Sequence, residues 1–196
     1  MKWIQKPLDL QGKKVVLLPL EEQHIPVLLS LSQEKRIWKH YPFDGSDPKI
    51  LTESLYNSFL EREKGTQYPF VILLKESSKI IGSTRFLDMQ LEHRKLEIGW
   101  TWLFPDYWGT QLNTECKLLL LTCCFEEMKA TRVQLKTDEH NIRSRRAIEK
   151  IGATFEGIFR HDMVRQNSTH RNSAYYSIIE PEWAEVKANL ENKLRG

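Results

Sequence analysis

The stretch "LEIGWTWLFPDYWGTQLNTECKLLLLTCCFEEM", residues 96–128, holds a strand pattern, a short loop and a helix pattern in succession. Apolar residues alternate with charged or small ones over 95–104, which predicts a strand. One face of that strand is expected to carry Leu96, Ile98, Trp100 and Trp102. A loop containing Gly109 follows, and apolar residues then recur at the spacing of one helix face, which predicts a helix over about 112–128.

This strand–loop–helix unit suits an anion, because a helix N-terminus offers free backbone N–H groups and the positive end of the helix dipole. Polar Thr110, Asn113 and Thr114 near the turn add further hydrogen-bonding groups. The residues alone also fit an ordinary strand-to-helix turn, and both interpretations stay open at this point. The stretch contains neither a Gly-Lys-Ser/Thr phosphate loop nor a Gly-x-Gly-x-x-Gly dinucleotide fingerprint.

Outward from this unit, the patterns predict about seven strands and five helices. Further strands are expected at 13–20, 68–76, 79–89 and 131–139 and in a final hairpin around Asn167-Ser168, and further helices at 21–33, 46–65, 142–152 and 180–194. The hairpins make part of the sheet antiparallel, whereas the unit 95–139 adds a parallel crossover. The predicted class is α+β, of mixed α/β type, in one domain over 1–196 with a core at about 13–179 and a C-terminal helix.

The bulk composition describes an ordinary globular protein. The 196 residues are 40% hydrophobic and 28% charged with a net charge of +3, which argues against disorder and gives little support to nucleic-acid binding. Apolar runs are far shorter than a membrane span or a signal peptide requires, so we expect a soluble cytoplasmic protein without membrane association. Cys116, Cys123 and Cys124 lie in one predicted helix at spacings unsuited to a disulfide or a metal site, and are expected as small buried residues.

A second informative stretch is "KTDEHNIRSRRAIEKIGATFEG", residues 136–157. Asn141 precedes a predicted helix, where it caps the N-terminus, contacts a ligand, or does both. Ser144 lies one turn into that helix. Arg143, Arg145 and Arg146 form a basic cluster that fits either a solvated helix face or a phosphate contact.

In this order, the two stretches resemble the Gcn5-related N-acetyltransferase (GNAT) superfamily, and more narrowly its branch of ribosomal-protein N-terminal acetyltransferases. The resemblance covers about residues 13–179 and is strongest over 79–160. It implies a GNAT-like sheet with helices on both faces and a splayed pair of parallel strands. It also implies an N-acetyltransferase that uses acetyl-CoA as co-substrate and needs no metal.

In that family the cofactor lies where two parallel strands separate, which here are 95–104 and 131–138. The resemblance assigns the pantetheine to backbone groups at the end of the first strand and the pyrophosphate to the following loop. The cofactor residues that it implies are Trp102, Leu103, Trp108, Gly109, Thr110, Gln111, Leu112, Asn113, Thr114 and Asn141. The turn departs from the family's Gly-x-Gly or Gly-x-Ala, because Gln111 brings a side chain where room is usually left.

The resemblance also implies two catalytic candidates, Glu97 and Ser144. Glu97 matches an acidic position that often serves as base, and its alternative role is that of a paired structural carboxylate. Ile148 stands at the position of the family's usual Tyr acid, so Ser144 is the remaining candidate for a contact to the leaving thiolate. Gly99, two residues after Glu97, is expected to help a bulge or a close backbone approach.

The acceptor is expected to be a primary amine, and the resemblance favours a protein or peptide N-terminus over a small-molecule amine. Its side of the site is expected to be lined by the irregular segment 34–46, the strand 79–88 and the final hairpin. The candidate contacts, which fit core positions as well, are Trp38, Tyr41, Arg85, Trp100 and His161. The rival interpretation is an acyl-CoA-binding regulatory module without catalysis, which Gln111 and Ile148 favour. A monomer or homodimer is expected.

Overall fold

The computed structural model describes residues 2–195, which form one eight-stranded sheet and five α-helices. The strands are β1 (Leu10–Gln11), β2 (Val15–Pro19), β3 (Tyr68–Leu74), β4 (Ile80–Gln90), β5 (Lys95–Leu103), β6 (Arg132–Asp138), β7 (Thr154–Val164) and β8 (His170–Ile179). The helices are α1 (Ile25–Leu31), α2 (Pro48–Lys64), α3 (Leu112–Thr122), α4 (Ile142–Lys150) and α5 (Trp183–Arg195). The predicted mixed α/β class is confirmed, and the additional strand is β1, whose two residues are too short to form a sequence pattern.

The strand order is β1-β2-β3-β4-β5-β6-β8-β7, and β5 and β6 are parallel neighbours. Their pairing involves three residues of each strand, Lys95–Glu97 against Arg132–Gln134. Beyond these residues β5 continues to pair with β4 and β6 continues to pair with β8. The two parallel strands therefore separate after Glu97, and their facing backbone edges are left without a strand partner.

A β-bulge in β5 shifts its side chains between the two faces of the sheet. Trp100 has a positive φ of 50°, and the register against β4 shifts between Ser83 and Arg85. One extra residue in a strand reverses the alternation beyond it. The expectation that Leu96, Ile98, Trp100 and Trp102 share one face is therefore wrong, because Ile98 and Trp102 belong to different cores.

Helices cover both faces of the sheet, as predicted. On one face α3 and α5 pack on a core that includes Phe70, Phe86, Ile98, Leu120 and Tyr176. On the other face α1 and α2 pack on a smaller core around Leu28, Leu55 and Trp102. The three cysteines are free and buried in the first core.

Helix ends follow the local chemistry of the sequence. Asp47 caps α2 by accepting from the Lys49 N–H at 2.8 Å, Pro48 takes the first helical position, and Gly65 ends the helix with a φ of 79°. The long helix predicted over 112–128 is an α-helix up to Thr122 and continues as a π-helical turn over Cys123–Glu127. No helix within residues 2–195 has both the length and the apolarity required to cross a membrane.

Candidate active site

A cavity of about 390 Å³ opens where β5 and β6 separate. One side of it is formed by the loop before α3 and by the first turns of α3 and α4. The segment 34–46, predicted as a pocket wall, contributes Ile37, His40, Tyr41 and Pro42, and the β7–β8 hairpin contributes Met163 and Arg171. The cavity thus connects the α3/α4 face of the sheet with its α1/α2 face.

The loop between β5 and α3 presents free backbone donors. Among residues 2–195, no group accepts a hydrogen bond from the backbone N–H of Gly109, Thr110, Gln111, Asn113 or Thr114. Such a row of N–H groups at the start of an eleven-residue helix is a suitable place for phosphate oxygens. Gly109 has a φ of 75°, and a Cβ atom placed on it would meet no atom within 4 Å.

The side chain of Gln111 points away from the cavity. Its Nε2 donates to the backbone oxygen of Lys193 in α5 at 3.0 Å, and its Oε1 accepts from Lys14 Nζ at 3.2 Å. Gln111 therefore leaves open the room that the family's small residue usually provides. Gln111 can replace the family's small residue because α5 lies close enough to bind its side chain. The sequence of the loop alone does not reveal this contact.

Trp108 and Arg143 both line the cavity and stack on each other. The guanidinium of Arg143 lies 3.5 Å from the centre of the Trp108 ring, and Trp108 Nε1 donates to Leu103 O at 2.8 Å. The three arginines of the basic cluster of α4 therefore have different surroundings. Arg143 lines the cavity, whereas Arg145 donates to the Tyr176 hydroxyl at 2.9 Å and Arg146 is exposed.

Asn141 and Ser144 lie together at the N-terminus of α4. The Asn141 Oδ1 accepts from the Ser144 N–H at 3.1 Å, so the predicted cap is present, and both residues also line the cavity. The Ser144 hydroxyl forms no hydrogen bond within residues 2–195 and is available to a ligand. Ile148 lines the same wall one turn further along α4 and offers no hydrogen-bonding group.

Glu97 lies at the point where β5 and β6 separate and is 5% exposed. Its Oε2 accepts from Gln134 Nε2 at 2.9 Å and lies 3.4 Å from Lys136 Nζ. Burial raises the pKa of Glu97, and the neighbouring Lys136 charge and Gln134 hydrogen bond oppose that rise. Gly99 gives the carboxylate room, since a Cβ there would lie 2.8 Å from Glu97 Oε1.

Lys117 is a buried cation that the sequence patterns did not single out. Its side chain reaches from α3 to the cavity, where Nζ donates to the Thr101 hydroxyl at 2.7 Å. No carboxylate in residues 2–195 lies within 4.0 Å of it, and burial lowers its pKa to about 8. The signal for it was a single charge, one helical turn after Asn113, inside the apolar run "CKLLLL".

Two of the predicted acceptor residues line the cavity and the others do not. Tyr41 and Trp100 form part of its wall, and the Tyr41 hydroxyl donates to Thr101 O at 3.0 Å. Trp38 is buried behind them, with its Nε1 donating to Ser32 O. Arg85 lies beneath the Trp100 ring and donates to Ser54 Oγ, so it is a core residue in this structure.

The remaining predicted residues differ in whether their side chains line the cavity. Those that line the cavity, besides those already described, are Trp102, Leu103, Trp108, Gly109 and Asn113. Thr110, Gln111, Leu112 and Thr114 offer backbone groups in the adjoining loop and helix turn, while their side chains do not line the cavity. His161 is exposed and stacks on His170 at 4.1 Å between ring centres, away from the cavity lining. Lys117, Lys136, His40 and Arg171 line it and were not predicted.

A parallel strand pair that opens onto a row of free loop N–H groups, with a buried carboxylate at the point of separation, is the arrangement that the resemblance implies for an acyltransferase of the CoA-thioester class. Comparison with known proteins identifies the family. Residues 14–154 match the family model described as the acetyltransferase (GNAT) domain. The chain belongs to this family and is an acetyl-CoA-dependent N-acetyltransferase.

Individual relatives agree with this assignment. YnaD, an uncharacterized N-acetyltransferase of Bacillus subtilis (strain 168), is 27% identical over 177 residues, which cover 90% of this chain and 99% of YnaD. A structure from T. thermophilus, provisionally assigned as an acetyltransferase, has a TM-score of 0.86 at 32% identity, covering 97% of this chain and 99% of that one. Mycobacterium smegmatis RimJ in complex with CoA-disulfide has a TM-score of 0.80 at 19% identity, with 97% and 94% covered, and shares the fold.

Proposed function

We propose that this enzyme transfers the acetyl group of acetyl-CoA to a primary amine by direct attack, with a protein or peptide N-terminus as acceptor. The observation that carries the proposal is the separation of β5 from β6 directly after Glu97. It leaves an open backbone edge, a row of free N–H groups and a buried carboxylate around one cavity. The RimJ structure with bound CoA-disulfide supports a CoA compound as the ligand of this fold.

The cofactor is proposed to occupy the α3/α4 side of the cavity. The backbone N–H groups of Gly109, Thr110, Gln111, Asn113 and Thr114 suit its pyrophosphate, and Arg143 in the cavity lining adds a positive charge. The unpaired edge of β5 at Trp102 and Leu103 suits the pantetheine amides, with Asn141 on the opposite wall. Lys117 is placed to donate to a carbonyl of that chain, because its Nζ lies against Thr101 in the same wall.

The reaction needs a neutral amine, a stabilised oxyanion and a protonated leaving group. We assign the first role to Glu97, which accepts the amine proton directly or through one water. The oxyanion is stabilised by a backbone N–H of β5 beyond Glu97, where the strand has no partner on the β6 side. Ser144, whose hydroxyl is free within residues 2–195, is the proposed contact to the departing thiolate.

The test is thiol release from acetyl-CoA in the presence of a panel of amines and peptides. Release with a peptide N-terminus and mass addition of one acetyl group to the peptide support the proposal. Thermal stabilisation by CoA with no release on any amine would instead support the regulatory module. No stabilisation by CoA or acetyl-CoA contradicts both functions.

Lys117→Met is expected to stabilise the fold and to weaken acetyl-CoA binding. Because burial lowers the pKa of Lys117 from 10.5 to about 8, the folded state near neutral pH carries a charge that costs free energy relative to the unfolded chain. At about 1.4 kcal/mol per pKa unit, its removal is worth roughly 1–3 kcal/mol, or roughly 3–10 °C in Tm. Loss of the donor is expected to weaken acetyl-CoA about 10-fold.

The destabilisation caused by charged Lys117 decreases as the pH rises. The free-energy cost of the buried Lys117 charge is fully present below the folded pKa of about 8. It shrinks between about 8 and 10.5, where the folded lysine has lost its proton and the unfolded lysine still holds one, and it is absent above 10.5. The Tm advantage of Lys117→Met is therefore largest near neutral pH. Lys49→Met, at an exposed site on α2, is the matched control. Equal Tm shifts in both variants, or unchanged acetyl-CoA affinity in Lys117→Met, contradict the assignment.

A further inference from the structure

Arg171 is a buried cation at the acceptor end of the cavity. It lies on β8, is 7% exposed, and lines the cavity together with Met163 and Tyr41. Its Nε and Nη2 both donate to the Ser173 hydroxyl, at 3.1 and 2.9 Å, and its Nη1 finds no acceptor within residues 2–195. A guanidinium offers five N–H donors, so a single neutral hydroxyl leaves most of its hydrogen-bonding capacity unused.

The carboxylates nearest Arg171 contact other groups, although Asp162 Oδ2 accepts no hydrogen bond within residues 2–195. Asp138 accepts from Arg165 and from the His140 N–H. Asp162 accepts from the Tyr175 hydroxyl at 2.7 Å and lies 3.9 Å from Lys136 Nζ.

Glu97, the third carboxylate near Arg171, is held by Gln134 and Lys136. No carboxylate in residues 2–195 comes within 4.0 Å of the Arg171 guanidinium. Asp138, Asp162 and Glu97 lie near enough to favour the charged form of Arg171, but none forms a direct ion pair with it. A buried guanidinium without a hydrogen-bonded counter-ion is costly, so the site favours an anion that arrives with a ligand.

Arg171 lies on the same face of the sheet as Glu97. In the β6–β8 register Lys136 is opposite Tyr175 and Asp138 is opposite Ser173, so Arg171 shares its face with Lys136. Lys136 contacts Glu97 on that face. Trp100, Tyr41 and His40 enclose the same end of the cavity. An anion bound by Arg171 therefore lies beside the amine that Glu97 is proposed to serve.

We propose that Arg171 binds a carboxylate of the acceptor, so that the preferred acceptor is a primary amine carrying a nearby carboxylate. The guanidinium offers a planar pair of donors that matches a carboxylate. Two sources share this chemistry, the α-carboxylate of a free amino acid and the acidic side chain of an Asp or Glu at or next to a peptide N-terminus. The inference rests on the proposed acetyl transfer to an amine.

The experiment compares matched acceptors that differ in one carboxylate. Glycine is paired with glycinamide, and the peptide Asp-Ala-Ala-Phe-amide with Asn-Ala-Ala-Phe-amide, each as acceptor for acetyl-CoA. We expect the enzyme to favour the carboxylate member of one pair by about 10-fold or more in kcat/KM, after correction for the fraction of neutral amine. Preference within the first pair identifies free amino acids, and preference within the second identifies acidic N-termini.

Arg171→Gln is expected to bring that ratio close to 1, and Arg171→Lys to keep part of it. Thermal stabilisation by CoA checks that each variant is folded and still binds cofactor. Ratios near 1 in both pairs with the native enzyme, accompanied by acetylation, overturn the role of Arg171 and leave the acetyltransferase function standing. An unchanged preference in Arg171→Gln also overturns it. Failure to acetylate any amine overturns the proposed function and the Arg171 assignment together.

Discussion

Gly109→Asp is expected to lower the affinity for acetyl-CoA by about 100-fold. Gly109 lies among the free loop N–H groups, and a side chain there points into open space at the proposed pyrophosphate site. Two like charges about 4 Å apart at an effective dielectric constant near 20 repel by roughly 4 kcal/mol. Screening at this exposed loop reduces the cost to roughly 2–3 kcal/mol. The affinity is measured by titration calorimetry at two ionic strengths.

Gly109→Asn is the matched control, because Asn has the size of Asp without its charge and also tolerates the positive φ of 75°. It is expected to bind acetyl-CoA within a few-fold of the native enzyme. The gap between the Asp and Asn variants is expected to shrink at high salt and to vanish for acetylpantetheine, which lacks the pyrophosphate. Equal affinities of the two variants for acetyl-CoA would place the pyrophosphate elsewhere.

The fold was accessible from the sequence because its elements depend on local patterns. The turn before α3 and the cap at Asn141 are short-range features, and both are present where the patterns predicted them. Gly99 was expected to help a bulge or a close approach, and the bulge at Trp100 begins directly after it. A Cβ on Gly99 would lie 2.8 Å from Glu97 Oε1, so the glycine also leaves room for that carboxylate. A bulge depends on the register with the neighbouring strand, which a single strand's pattern does not contain.

The charged side chains that line the cavity were much harder to predict from the sequence than the fold. Lys117 and Arg171 are ordinary basic residues in the sequence, and tertiary packing buries them, with Lys117 donating to Thr101 of β5 and Arg171 to Ser173. Trp38 and Arg85 were expected at the acceptor side from their place in the chain, and tertiary packing instead places Trp38 against Tyr41 and Trp102 and Arg85 beneath Trp100. Aromatic and basic residues in a wall segment therefore predict the wall better than they predict which side chains line the cavity.

Glu97→Gln is expected to lower kcat by about 10²-fold or more while leaving acetyl-CoA affinity within a few-fold of the native value. The substitution keeps the size of the side chain and its hydrogen bond to the residue-134 amide, and removes the ability to accept a proton. General-base catalysis contributes roughly 10²–10⁴-fold where it operates. Steady-state kinetics at saturating acceptor and calorimetric titration of acetyl-CoA measure the two quantities separately. A kcat near the native value would assign Glu97 a structural role.

The pH profile separates loss of the base from a general disturbance of the site. Burial raises the pKa of Glu97, so native kcat is expected to fall with a slope of one below that raised pKa, where the carboxyl is protonated. Glu97→Gln is expected to lose this limb. Because the Lys136 ammonium at 3.4 Å favours the carboxylate, Lys136→Met is expected to raise the pKa of Glu97 further and move the limb to higher pH. A limb that stays in place in Lys136→Met, or persists in Glu97→Gln, belongs to another group.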